Sequence, residues 1–74
     1  MTNFGVVLFH TTSAVMKAEK FLIAKKYTIR LIPTPREFSS DCGIAIRFPW
    51  EKRESLELDL NSLGLEIGGI YQMS

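Results

Sequence analysis

Two short apolar runs, Phe4–Phe9 and residues 43–48, are typical of strands in the middle of a sheet. The first run is an unbroken series of apolar residues, rich in Val and Phe, so both faces of its strand should be covered. The second run is also mostly apolar, and Pro49 ends it. Because the chain has only 74 residues, one domain spanning 1–74 must supply all of that cover.

The segment after the first run predicts a helix. Apolar residues recur there at helical spacing and form one stripe: Ala14, Val15, Ala18, Phe21 and Leu22. Hydroxyl-bearing residues directly before the stripe suit a helix N-cap, so we expect the helix to begin near Thr12 or Ser13.

Residues 51–63 carry two competing patterns. Leu56, Leu58 and Leu60 alternate with acidic residues at period two, which is typical of a strand. Leu56, Leu60 and Leu63 also lie four and seven residues apart, which is typical of a helix. Leu and Glu favour helix, and Gly64 is well placed as a C-cap. We therefore predict a helix.

Two further strands complete the pattern. Tyr27, Ile29 and Leu31 alternate with polar residues and predict the second strand, and Leu65, Ile67, Ile70 and Tyr71 predict the last one. Gly68 and Gly69 interrupt the last strand, and we expect a β-bulge there.

The resulting order, βαββαβ, predicts an α+β ferredoxin-like fold: a four-stranded antiparallel sheet of order 4-1-3-2 with both helices on one face. In this topology the first and second strands run in the same direction and terminate at the same end of the sheet. The first helix and the loop between the second and third strands therefore both start at that end. We expect Cys42, at the end of this loop, to lie close to the turn of residues 10–13.

Composition excludes several classes of function. One cysteine and one histidine exclude a disulfide framework and a Cys/His zinc site, and we predict no metal and no cofactor. The net charge of +1 indicates no nucleic-acid partner and no membrane partner. No secretion signal and no membrane-length apolar run is visible, so we expect a cytoplasmic protein with Cys42 as a free thiol.

Cys42 is the strongest candidate for chemistry, because a thiolate beside a helix N-terminus or a cation becomes a good nucleophile. The residues that could serve this thiolate are Arg36 and His10 as cations, Thr12 and Ser13 at the helix N-terminus, Ser39 and Ser40 as hydrogen-bond donors, and Gly43, which leaves the sulfur open to approach. Pro33 and Pro35 would hold the loop in one shape. The competing interpretation is that Cys42 is a small buried hydrophobe and these neighbours are solvated loop or cap residues.

The stretch LIPTPREFSSDCGIAIR, residues 31–47, resembles the central motif of the selenium/sulfur carrier protein-like family, formerly a domain of unknown function. The motif is a strand, Pro-x-Pro-Arg, a Ser-rich stretch, Cys-Gly and another apolar strand. The opening FHTTSA, residues 9–14, and the C-terminal EIGGIY, residues 66–71, are also similar to the family's first turn and last strand. Asp41 departs from the family's pattern of small residues, and its carboxylate would raise the pKa of Cys42.

This resemblance implies a carrier that holds sulfur or selenium on Cys42 as a persulfide or selenopersulfide. The implied partners are a donor of the cysteine desulfurase type and an acceptor enzyme, and the implied role is that of a carrier more than of an independent catalyst. The alternative is a non-catalytic binding or regulatory module that uses the open sheet face or an edge strand. The sequence is also compatible with a homodimer, since small domains gain stability by association. Arg30, Arg47 and Glu66 would make the sheet face that the helices leave uncovered partly polar.

Overall fold

The computed structural model describes residues 3–38 and 43–73. The elements, in chain order, are β1 (Phe4–Phe9), α1 (Thr12–Ala24), β2 (Arg30–Pro33), β3 (Ile44–Pro49), a short 3₁₀ helix (Trp50–Lys52), α2 (Arg53–Ser62) and β4 (Ile67–Met73). This is the predicted βαββαβ order. The protein has the α+β ferredoxin-like fold.

The four strands form one sheet of order β2-β3-β1-β4, in which all neighbours are antiparallel. This is the predicted order, read from the other edge. Since β1 and β2 both run antiparallel to β3, they run in the same direction. Phe9 and Pro33 therefore mark the same end of the sheet, where β3 begins at Ile44.

The main core lies between the sheet and the two helices. The apolar stripe predicted for α1 faces the sheet and forms part of this core, where Val15, Ala18 and Leu22 are fully buried. The fully buried residues of the other elements in this core are Val7, Phe9, Ile46, Phe48, Leu56 and Leu60. Both helices thus cover one face of the sheet, as predicted. The other face, which carries no helix, is here called the open face.

The helix predicted for residues 51–63 is confirmed, since the short 3₁₀ helix and α2 together span residues 50–62. Leu56 and Leu60 are fully buried, whereas Leu58 between them is 69% exposed. A strand would have placed all three side chains on one face. Gly64 follows the helix with φ of +80°, so it ends α2 as predicted.

The second strand begins at Arg30, three residues later than predicted from the alternation that starts at Tyr27. The reason lies in the end of α1. Lys26 adopts a left-handed φ of 68°, its N–H donates to the Ile23 carbonyl, and the Tyr27 N–H donates to the Leu22 carbonyl. These bonds form a Schellman cap. The Tyr27 N–H is thereby committed to the helix end and cannot join the sheet.

The last strand contains the predicted bulge. In the ladder between β1 and β4, Leu8 pairs with Gly69 but Phe9 pairs with Ile67, so Gly68 is the extra residue.

Candidate functional site

The loop between β2 and β3 carries the main candidate of the sequence. Ser39, Ser40, Asp41 and Cys42 lie outside the described residues, so their predicted roles stay predictions. The same holds for the expected closeness of Cys42 to the start of α1. What the structure describes is how the two ends of this loop are held.

The neck of the loop is a continuation of the β2–β3 ladder. Pro33 pairs with Ile44, and one step further the Thr34 N–H donates to the Gly43 carbonyl oxygen at 3.0 Å. Pro33 is tolerated in this ladder because β2 is an edge strand. Pro35 follows directly after the neck and restricts the backbone there. The predicted structural role of both prolines fits this arrangement.

A tight turn follows the neck. The Phe38 N–H donates to the Pro35 carbonyl oxygen at 3.0 Å, and Arg36 and Glu37 lie between them with exposed side chains. Arg36 is therefore available to solvent, at the start of the loop that leads to Cys42.

Phe38 anchors the loop on the open face. Its ring stacks on Tyr71 of β4, with ring centroids 4.7 Å apart and planes at 15°. Phe38 also packs against a second apolar cluster of Val6, Leu8 and Ala45, which are buried although no helix covers them. Because β2 and β4 are opposite edges of the sheet, about 14 Å apart, the loop crosses the open face to reach this site.

The Tyr71 ring takes its place because Gly69 has no side chain. A Cβ on Gly69 would lie 2.7 Å from the Tyr71 Cε2 atom, closer than real Cβ contacts. The glycine at this position of β4 therefore leaves room for the ring on which Phe38 stacks.

We expect Phe38→Ala to lower the free energy of unfolding by about 1–2 kcal/mol, since it removes a ring stack and part of a half-buried side chain. Cleavage by protease within residues 34–43 should become faster in the folded protein. Urea unfolding and limited proteolysis with mass analysis measure both effects. Tyr71→Phe is the matched control, because it keeps the ring. Unchanged stability and cleavage in Phe38→Ala would show that the stack does not hold the loop.

Gly43 lies in open space. A Cβ placed on it meets no described atom within 4 Å, and its φ lies outside the left-handed region. Neither packing against the described residues nor backbone conformation therefore requires a glycine here. Its predicted role of leaving the sulfur of Cys42 accessible stays a prediction.

The helix α1 begins at Thr12, within the predicted start at Thr12 or Ser13. Its N-cap is Thr11, which has the extended backbone of a cap and whose Oγ1 accepts from the Ala14 N–H at 3.1 Å. His10, Thr12 and Ser13 all have exposed side chains. His10 and Ser13 line a shallow depression of about 260 Å³ together with Glu66.

The exposed residue Glu66 could not be placed from the sequence, because its position depends on how the chain returns to β4. It precedes β4 and lines the depression at the start of α1. Sequence reasoning also found no carboxylate near His10. Only the return of the chain from α2 to β4 brings Glu66 there, and no local pattern indicates it.

The clearest electrostatic perturbation lies at the opposite end of the sheet. Partial burial raises the pKa of Tyr27, and the hydrogen bond that its hydroxyl donates to Asp59 at 2.7 Å raises it further. A hydrogen bond with Ser55 acts in the opposite direction. This pair ties the end of α1 to α2 and lies apart from the β2–β3 loop.

The described residues form neither a metal-ligand cluster nor a membrane-spanning helix. Within residues 3–38 and 43–73, no three His, Cys, Asp or Glu side chains are grouped as metal ligands would be. Neither helix in the described part of the chain has the length and apolarity to cross a membrane.

Comparison with known proteins gives one match. The model of the family described as "Putative Se/S carrier protein-like" matches residues 4–72. No curated protein and no solved structure matches the chain. The family match runs from the first residue of β1 to Gln72 in β4 and includes the whole β2–β3 loop with Cys42. The chain therefore belongs to the Se/S carrier protein-like family.

Proposed function

We propose that this protein carries sulfur or selenium on Cys42, between a donor protein and an acceptor enzyme. The observation that carries the proposal is the family match over residues 4–72, in a chain whose one cysteine lies in the β2–β3 loop. The described ends of that loop support it, because the Thr34–Gly43 hydrogen bond and the Phe38 anchor fix where the segment containing Cys42 starts and ends.

The loading step needs no external oxidant. The Cys42 thiolate attacks the outer sulfur of a persulfide on the donor's cysteine. A new S–S bond forms on Cys42 as the donor's S–S bond breaks, and the donor's thiolate leaves and takes up a proton. For selenium, the outer atom is selenium and the bond formed is S–Se. The acceptor then removes the outer atom and returns Cys42 as a thiolate.

Each proposed site residue has a physical role in this step. Arg36 and the N-terminal end of α1 stabilise the thiolate and the persulfide anion electrostatically. Ser39 and Ser40 donate hydrogen bonds to the anion, while Gly43 leaves the approach open for a partner's active site. His10, Thr12 and Ser13 contribute the exposed polar surface at the start of α1.

Incubation with a cysteine desulfurase and free cysteine should add the mass of one sulfur atom to the folded protein, as measured by intact mass spectrometry. A reductant should remove the added mass. Cys42→Ser should gain nothing under the same conditions, because it has no thiolate to attack the donor's persulfide.

The alternative function, a binding module without covalent chemistry, is favoured if the wild-type protein gains no mass from sulfur or selenium donors. In that case Cys42→Ser should retain every binding property of the wild type.

A further inference from the structure

The open face carries an unusual row of side chains. Arg30 of β2 is the register partner of Arg47 of β3. Val6 of β1 is the register partner of both Arg47 and Tyr71 of β4. Register partners point to the same face of a sheet. One row across the open face therefore reads Arg30, Arg47, Val6, Tyr71.

The two arginines are neighbours without a described counter-charge. Side chains that are directly opposite on adjacent antiparallel strands have Cβ atoms about 5 Å apart, and like charges in this position destabilise the sheet. Neither arginine forms an ion pair with a carboxylate of the described residues; the pair that these residues do form, Arg53 with Glu54, belongs to α2. The strands thus place two cations side by side, with no ion-pair partner among the described residues.

No strand residue on this face is acidic. The register places the following residues there: Phe4, Val6, Leu8, Arg30, Ile32, Ala45, Arg47, Pro49, Gly69, Tyr71 and Met73. Arg47 is half-buried and its guanidinium carbon lies 4.3 Å above the Phe4 ring, which holds the group in place. Arg30 is exposed, and Tyr71 is 43% exposed. The face therefore combines two cations with an accessible aromatic ring.

Charge decides which occupant suits this face. A second copy docked face to face would bring four arginines together, and like charges across an interface oppose association. Recognition of an anionic membrane typically takes a cluster of about four to eight basic residues, whereas the strands place two arginines on this face. A protein surface with two carboxylates gains charge-assisted, bidentate hydrogen bonds to both guanidinium groups. The carboxylate-bearing protein is the best match.

We propose that the open face, centred on Arg30 and Arg47, binds an acidic surface of the protein that loads Cys42. This inference rests on the proposed carrier function. Phe38 connects the two, because it lies on the open face and belongs to the loop that leads to Cys42. Tyr71, on which Phe38 stacks, lies in the same row as the arginines, so a donor bound to this row lies close to Phe38 and to the segment that leads to Cys42.

The test is binding of each purified cysteine desulfurase of the source organism to the full-length protein in the Cys42→Ser background, where no transfer interferes. Adding Arg30→Gln and Arg47→Gln should weaken binding about tenfold or more and flatten its dependence on salt. Lys20→Gln with Lys52→Gln is the matched control, since these two exposed lysines belong to α1 and to the 3₁₀ helix and not to the sheet, and it should bind as the parent does. The arginine variant should stay folded, because relief of the repulsion between the two arginines offsets the loss of the Arg47–Phe4 contact, and urea unfolding checks this.

Sulfur loading of the protein with Cys42 intact separates the two proposals. If the arginine variant binds and loads as the parent does, or if no desulfurase binds the parent, the docking proposal is wrong. If binding depends on the arginines but the protein with Cys42 gains no sulfur, docking stands and the carrier function fails. Arginine-dependent binding to phosphatidylserine vesicles, without binding to any desulfurase, would instead assign the face to membranes and overturn the proposal.

Discussion

Leu60→Ala is expected to lower the free energy of unfolding by about 2–5 kcal/mol, because it leaves a cavity in the main core where Leu60 is fully buried. A domain of 74 residues has a total stability on the order of 4–11 kcal/mol. The variant should therefore lose a large share of its stability and unfold at a much lower urea concentration. Urea unfolding followed by circular dichroism measures the change.

Leu58→Ala is the matched control, since it makes the same substitution on the same helix at a side chain that is 69% exposed. Its stability should stay within about 0.5 kcal/mol of the wild type. Equal, large losses for the two variants would mean that residues 51–63 bury their leucines at period two, as a strand does. That result would contradict the fold.

Gly5→Ala is expected to destabilise the protein by about 1–3 kcal/mol, although the same change within a strand usually stabilises. The reason is the close packing of two aromatic rings against β1. A Cβ on Gly5 would overlap the Trp50 Cε3 atom and lie 2.7 Å from the Phe48 Cζ atom. Both rings are packed in the core, with centroids 6.1 Å apart, so neither can move away cheaply. Thermal and urea unfolding test the sign of the effect.

Gly43→Ala is the control for this prediction, because a Cβ at Gly43 meets no described atom within 4 Å. It should leave stability unchanged or raise it slightly by restricting the unfolded chain. A stabilising effect of Gly5→Ala would show that Trp50 and Phe48 do not pack on β1 as described.

Most of the fold was predictable because apolar periodicity reports local structure directly. The bounds of β1 and the buried stripe of α1 follow from runs of side chains that must leave water. The late start of β2 was not predictable in this way, since Lys26 caps α1 where a glycine is usual and no residue type announces the cap. The face on which each strand residue lies also required the register, which pairs Arg30 with Arg47 and so places them on one face.

In the candidate site too, local sequence patterns were predictive and contacts between distant segments were not. The Pro-x-Pro-Arg to Cys-Gly motif indicated the loop, because several uncommon residue types occur there at fixed spacing. The anchoring of that loop was not predictable, because Phe38 and Tyr71 are distant in sequence. They meet because the chain after β2 crosses the open face and reaches β4 at the opposite edge of the sheet. Gly69 offered a partial indication, as a glycine within a strand often marks a close approach of other groups.

The most direct test of the carrier proposal is the rate of alkylation of Cys42 in the folded protein as a function of pH, measured for the wild type and for Asp41→Ser. Alkylation should go to completion without denaturant, with an apparent pKa below the usual ~8.5 of a thiol. Asp41→Ser should lower this pKa further, because a carboxylate next to the thiol disfavours the thiolate. A Cys42 that reacts only after denaturation would contradict the proposal, since a carrier thiol must be accessible in the native fold.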